Sequence, residues 1–105
     1  ASCSGSVGSL TLRNEATEVI ARAEIAIGEQ KLQFENLISG SSSMARFKIR
    51  SDDHFRIHVM FASGRILEKE DGYVTNGADL SFEMVVTNQD VELRNVSVSG
   101  VYDKR

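Results

Sequence analysis

Apolar residues recur at every second position along most of this chain, and this alternation constrains the fold more than any other feature. The longest such run lies between residues 18 and 27, where one face is formed by Val19, Ala21, Ala23, Ile25 and Ile27. A period of two residues places successive side chains on opposite faces of a β-strand. No segment shows the 3.6-residue period of an amphipathic helix. The sequence therefore predicts an all-β chain of seven or eight short strands.

Two short glycine-containing segments predict hairpin turns. Residues 28–29, glycine then glutamate, fit a type II′ turn, which takes glycine at its first central position. That turn would place Ile25 opposite Leu32 and Arg22 opposite Glu35, so apolar residues meet apolar ones and opposite charges meet.

The segment Ala62–Gly64 fits a three-residue turn with Gly64 in the left-handed conformation. Three residues place Glu68 opposite His58, on the polar face of the hairpin, whereas two would move Glu68 onto the apolar face. Because burial fixes strand register, we expect the three-residue turn.

A third hairpin is predicted from residues 45–49 and 54–61, with residues 51–53 as its turn. Its outward face would carry a set of cationic and imidazole side chains, with Lys48 opposite Arg56. We call this set the basic stripe: Arg46, Lys48, Arg50, His54, Arg56 and His58. On a chain of net charge −3, such a stripe predicts a docking face for an anionic partner, either an acidic or modified protein or an anionic glycan. The alternative is an ordinary solvated sheet face.

Short strands about ten residues apart, separated by turn residues, are typical of a β-sandwich or a small barrel. We predict an antiparallel β-sandwich, with residues 1–8 as a flexible tail and 9–105 as a single domain. A slip in the alternation at Asn95 predicts a bulge or bend there. The strand pattern resembles immunoglobulin-like and transthyretin-like sandwiches. The chain has one cysteine and no tryptophan, so it lacks the Cys…Trp…Cys signature of true immunoglobulin domains.

The faces of these strands predict a shared core. Truncating either of two central phenylalanines, Phe55 or Phe82, to alanine would cost roughly 3–5 kcal/mol. The residues expected to be buried together are Ala23, Ile25, Leu32, Phe34, Phe47, Ile49, Phe55, Ile57, Val59, Leu80, Phe82 and Met84.

His54 and His58 have the spacing of a metal-binding helix, but they lie in a strand pattern. Residues four apart on a strand are roughly 13 Å apart, whereas zinc ligands must all lie within about 2.1 Å of the ion. The sequence therefore predicts no metal site, and no cofactor is expected. It also lacks the G-x-S-x-G, G-x-G-x-x-G and P-loop motifs, and we predict a non-enzymatic module. The alternative is a small hydrolase or transferase on a sandwich scaffold, with a histidine beside a carboxylate in a deep pocket.

Residues 71–77 are predicted to form a loop at one end of the sandwich. Tyr73, Thr75 and Asn76 could present an aromatic ring and two hydrogen-bonding groups there, as recognition loops do. The alternative is an ordinary turn built on the Asp-Gly and Asn-Gly pairs of this segment.

The first residues, ASCSGSVGS, resemble the end of a bacterial lipobox followed by a lipoprotein tether. The resemblance implies that Cys3 carries the lipid, that the membrane is reached only through it, and that the chain is extracytoplasmic in a bacterial envelope. Residues left from a vector are the alternative origin. The acidic net charge disfavours a nucleic-acid partner. The sequence thus predicts a binding or structural module of the envelope, or else one domain of a longer surface adhesin.

Overall fold

The structure is a computed structural model that describes residues 6–49, 51–74 and 79–99. Every residue assigned to regular structure in these ranges is in a β-strand. The strands are β1 (Ser6–Asn14), β2 (Ile20–Ile27), β3 (Gln30–Leu37), β4 (Ser42–Ile49), β5 (Asp53–Phe61), β6 (Ile66–Val74), β7 (Asp79–Val86) and β8 (Val91–Ser99).

The strands form two four-stranded sheets that pack face to face. Sheet A has the order β4-β1-β7-β8, and sheet B has the order β3-β2-β5-β6. The prediction of a β-sandwich is therefore confirmed. The expectation that all pairs are antiparallel is wrong for β1 and β7, which pair in parallel. A hairpin turn forces antiparallel pairing, but β1 and β7 are far apart in sequence and no turn fixes their direction.

The core lies between the sheets, and all twelve residues predicted to share it are buried. Its centre is a cluster of three aromatic rings. The ring of Phe55 lies 5.0 Å from that of Phe82 and 5.6 Å from that of Phe47, both edge to face. Phe47 also fills the space above Gly8, where a Cβ atom would overlap its ring. Alternation thus identified these twelve core positions correctly.

Two of the three predicted hairpins have the predicted register. In the β2–β3 hairpin Ile25 pairs with Leu32, and Gly28 has a positive φ of 60°, as a type II′ turn requires. In the β5–β6 hairpin His58 pairs with Glu68, across the three-residue turn.

The third predicted hairpin, formed by β4 and β5, is wrong. Strand β4 lies at the edge of sheet A beside β1, whereas β5 lies in sheet B between β2 and β6. The four peptide steps from Ile49 to Asp53 can span about 13 Å, enough to cross the ~10 Å between packed sheets. Both strands still bury one apolar face, because both sheets contribute to the same core.

Bulges alter the alternation in three strands. In β2 a register shift between Ile20 and Arg22 buries Ile20 instead of Val19 and Ala21, contrary to the predicted face. In β8 the predicted slip is confirmed, since Glu83 pairs with Asn95 and Met84 with Leu93. In β6 the shift falls at Gly72, where the predicted loop is instead strand as far as Val74.

Asn14 is the buried polar residue of the described core, and it joins three chain segments. Its side-chain amide donates to the carbonyl oxygens of Glu18 and Leu37, at 2.9 and 2.8 Å. Its side-chain oxygen accepts the N–H of Ala16 at 2.9 Å. Its backbone bonds to Gly40 and Ser41 hold the turn that leads into β4. The start of β4 is therefore fixed through Asn14.

Candidate functional site

The structure divides the basic stripe between the two outer faces of the sandwich. Arg46 and Lys48 lie on β4 in sheet A. His54, Arg56 and His58 lie on β5 in sheet B. The predicted common face is therefore wrong, because the outer faces of packed sheets point in opposite directions. Arg50 lies outside the described residues.

The side chains from β5 have hydrogen-bond partners close by. Nδ1 of His58 lies 2.9 Å from a carboxylate oxygen of Glu68, and Nε2 of His54 lies 3.1 Å from one of Glu70. The Arg56 guanidinium donates to the carbonyl oxygen of Gly28 at 3.3 Å. The two histidines thus face carboxylates on β6, and this face is a mixture of both charges.

A shallow groove on this outer face contains His58 together with Glu68 and Glu24. It brings a histidine next to a carboxylate, the pair expected for the hydrolase alternative. The groove lies on the outer face, and 42% of the His58 side chain and 70% of the Glu68 side chain are exposed. Its lining residues carry no hydroxyl or thiol.

Tyr73 lies on β6 and not in a loop, and the residue is 60% exposed. Its hydroxyl donates to a carboxylate oxygen of Asp52 at 3.4 Å. The negative charge of Asp52 raises the pKa of the Tyr73 phenol. Thr75 and Asn76 lie outside the described residues, so recognition by these three residues stays a prediction.

Next to this ring, Asp53 begins β5 and accepts the N–H of His54 at 2.7 Å. This bond lowers the pKa of the Asp53 carboxyl, because it stabilises the charged form. The carboxylate at residue 53 thus helps to fix the start of β5.

Arg46 and Lys48 are in a different electrostatic environment. Both are exposed, and neither forms an ion pair with any residue in the described ranges. Their cross-strand neighbours on β1 are Ser9 and Val7, which carry no charge. Within the described ranges, these two cations on an edge strand have no carboxylate partner.

The backbone of β4 adds a second feature, since one of its edges is open. The side-chain amide of Gln30 bonds to Lys48 in both directions, accepting its N–H at 3.0 Å and donating to its carbonyl oxygen at 2.6 Å. The backbone groups of Lys48 therefore point away from β1. In an antiparallel pair, alternate residues share this direction. Ser42, Met44 and Arg46 thus direct their N–H and C=O groups outward too.

We call Ser42, Met44 and Arg46 the open edge. Within the described part of the chain, no backbone group pairs with their outward N–H and C=O groups. Met44 is 56% exposed, so the open edge combines an apolar side chain with a basic one. Sequence reasoning placed Arg46 on an outward face but missed the edge, because alternation does not show which strand is outermost.

The remaining predicted sites receive little information from the structure. Cys3 lies outside the described residues, so lipid attachment stays a prediction. No cluster of three potential metal ligands occurs in the described part of the chain. No helix among the described residues is long and apolar enough to cross a membrane.

No protein family model and no curated protein matches this chain. Among solved structures, it is similar to an NMR structure of a protein from Eubacterium rectale, with 14% identity and a TM-score of 0.57 over 89% of this chain and 88% of that one. This likeness supports the all-β sandwich fold alone.

Two further structures are more distant. One is described as a trapped toxin, with 13% identity over 90% of this chain and a TM-score of 0.44. The other is a disulfide-locked mutant of intermedilysin with human CD59, with 16% identity over 84% of this chain and a TM-score of 0.41. This chain spans 24% of the length of each.

Proposed function

We propose that this chain is a non-catalytic binding module that holds an anionic partner against strand β4. The observation that carries the proposal is the pair Arg46 and Lys48, exposed on an edge strand with no carboxylate bonded to them among the described residues. On β5, by contrast, both histidines lie within hydrogen-bond distance of a glutamate. The cations on β4 are therefore available to a partner.

The negative net charge of the whole chain makes the binding of a polyanion selective for Arg46 and Lys48. The net charge is −3, so a polyanion is repelled by most of the surface and attracted only where cations are exposed together. Arg46 and Lys48 are two residues apart on one strand, so their side chains share one face of sheet A. A partner with two acidic groups about 7 Å apart would match them.

The strand connectivity supports a transthyretin-like sandwich as the finer fold class, rather than an immunoglobulin-like one. In immunoglobulin domains, strands B and C lie in different sheets. Here β2 and β3 form a hairpin within sheet B. The parallel pairing of β1 with β7 is a second departure from a purely antiparallel arrangement.

A bacterial envelope location is proposed together with this function. The Ser/Gly-rich run around Cys3 supports a lipid-anchored module at a membrane surface. Mass spectrometry of the Cys3 peptide, after expression of the full precursor in a bacterium, would show a diacylglyceryl adduct. An unmodified thiol in protein recovered from the membrane fraction would contradict the anchor.

Chromatography on a heparin resin tests the binding proposal. Wild type is compared with an Arg46→Gln, Lys48→Gln variant and with a control, Arg22→Gln, Arg56→Gln. Both variants lose two charges, but the control removes cations from sheet B, where Arg22 faces Glu35 at 3.8 Å. We expect the β4 variant to elute at lower salt than wild type and the control to stay near wild type. Equal elution of the two variants would overturn the proposal, since net charge alone would then explain retention.

A further inference from the structure

We infer that the anionic partner is a peptide segment that adds to sheet A as an extended strand beside β4, with acidic residues alternating with apolar ones. This inference rests on the proposed function, because it uses the cations of the same strand. It goes further by assigning the chemical class of the partner and its binding mode.

The first argument is the hydrogen-bonding capacity of the open edge. Ser42, Met44 and Arg46 together present three N–H and three C=O groups on the outward side of β4. From residue 42 to residue 46 the strand extends about 13 Å, enough to pair with roughly five residues of a partner. Peptides that bind by strand addition obtain much of their affinity from such backbone bonds. A glycan has no backbone that could form this ladder.

The second argument is the pattern of side chains along β4. On the outer face, Met44 and Arg46 would lie about 5 Å from the outward side chains of an added strand, and Lys48 is the next residue of this face. Acidic side chains there would pair with the two cations. On the inner face, half-buried Ala45 is a small residue packed against the core. An apolar side chain from the partner would cover it, which gives the alternation of acidic and apolar residues.

The third argument concerns a second copy of β4 as the occupant. Antiparallel pairing of residues 42–46 with the same residues of another copy would place each Arg46 opposite Ser42, which carries no charge. Such a pair would bring the Arg46 and Lys48 cations of both copies to one edge and would supply no carboxylate for them. An acidic strand neutralises both charges and therefore fits this edge better than a second copy does.

The length of the binding segment is limited by Gln30. Its side-chain amide already occupies the N–H and C=O of Lys48, the next outward residue along β4. An added strand therefore pairs with residues 42–46 and ends before Lys48, where the Gln30 side chain occupies the edge. Beyond that point only the Lys48 side chain remains for an acidic residue of the partner.

The test uses a synthetic nine-residue peptide in which glutamate alternates with valine, with both termini blocked. Two N-methylated versions serve as matched probes, one methylated on the glutamate amides and the other on the valine amides. The N–H groups of alternate residues in a strand point to opposite edges, so only one version blocks the edge that faces β4. We expect that version to bind wild type about tenfold more weakly or worse, from lost hydrogen bonds, and the other to stay close to the parent peptide.

A protein variant gives the reciprocal control. Met44→Pro removes an outward N–H of the open edge and keeps Arg46 and Lys48, and edge strands accept proline where the N–H faces outward. This variant should lose the peptide and keep its retention on heparin, after a thermal unfolding scan shows that it is folded.

Equal binding of both N-methylated peptides would overturn strand addition. So would failure of the parent peptide to bind wild type. In either case the proposed function stands if the heparin experiment gives its expected result, and falls if Arg46→Gln, Lys48→Gln leaves retention unchanged relative to its control.

Discussion

The two lateral sides of the sandwich differ in how their strand edges are protected. At the β6 and β8 side, Lys69 projects from β6 on the same face as buried Ile57 and reaches across to β8. Its ammonium group donates to the carbonyl oxygen of Val91 at 2.9 Å and to the carboxylate of Asp90 at 3.2 Å. At the β3 and β4 side, Gln30 provides such a bridge near one end of β4 and leaves residues 42–46 open.

This difference indicates which edge is available for pairing. Inward-pointing charges on edge strands are a common protection against unwanted strand addition, and Lys69 is such a charge. The inward residues of β4 include Ala45 and Phe47, which contribute to the core and carry no charge. We interpret the β6 edge as protected and the β4 edge as adapted to pair.

The largest expected effect concerns the anchor of the β3 and β4 side. Asn14→Ala removes a buried amide and leaves the carbonyls of Glu18 and Leu37 and the N–H of Ala16 without this partner. At about 1–3 kcal/mol for each unsatisfied buried group, we expect a loss of about 3–5 kcal/mol in the free energy of unfolding, measured by urea denaturation. Gln89→Ala removes an exposed amide side chain that forms no hydrogen bond within the described residues, so this control should change stability little.

The next prediction compares alanine substitutions at two glycines, one on each lateral side of the sandwich. Gly72 on β6 has a φ of +77°, and an added Cβ would lie 2.7 Å from the Phe55 ring and 3.2 Å from Leu93. Gly40, in the turn before β4, has a φ of +86° with nothing within 4 Å. Gly40→Ala should cost about 1–2 kcal/mol for backbone strain alone, and Gly72→Ala about 2–4 kcal/mol because overpacking is added. If thermal or urea unfolding showed the same loss of stability for Gly40→Ala and Gly72→Ala, the close packing of Phe55 and Leu93 against Gly72 would be contradicted.

A smaller effect concerns pH and the bridge at the β6 and β8 side. The N–H of Val91, followed by Lys69, lowers the pKa of Asp90 below its ordinary value. A folded-state pKa below the unfolded one stabilises the protein above the unfolded value and ceases to do so as pH falls through the folded value. Asp90→Asn should therefore lower the urea midpoint at pH 6, and this deficit should shrink below about pH 4.

The control for this pH effect is Glu29→Gln, at an exposed turn residue without a hydrogen bond to the described residues. The difference in urea midpoint between Glu29→Gln and wild type should be the same at pH 6 and at pH 3. A deficit in Asp90→Asn that is the same at pH 6 and pH 3 would contradict an ionic bridge.

Much of the fold could be predicted from the sequence because burial repeats with the strand period. Ile25 opposite Leu32 and His58 opposite Glu68 follow from a short turn together with one apolar face. Sheet membership could not be predicted in this way. Phe47 and Phe55 face the same core from opposite sheets, and their alternation would be the same in a hairpin.

One signal in the sequence argued against the β4–β5 hairpin. That hairpin would place Lys48 opposite Arg56, a like-charge contact that weakens a strand pair. The predicted basic stripe depends on this contact, but the structure avoids it by placing the two residues in different sheets. The observed neighbours are Val7 for Lys48, and Ala26 and Glu70 for Arg56. The open edge itself had no local signal, since it depends on the distant pairing of β1 with β4 and β7.

Amide hydrogen exchange of the free protein, followed residue by residue by NMR, tests the central claim that the outward edge of β4 is open. The amides of Ala45 and Phe47 bond to β1 in this register and should be protected. The amides of Met44 and Arg46 should exchange much faster and become protected when the glutamate–valine peptide is added. Equal protection of all four amides in the free protein would contradict the account, because the edge would then already be occupied.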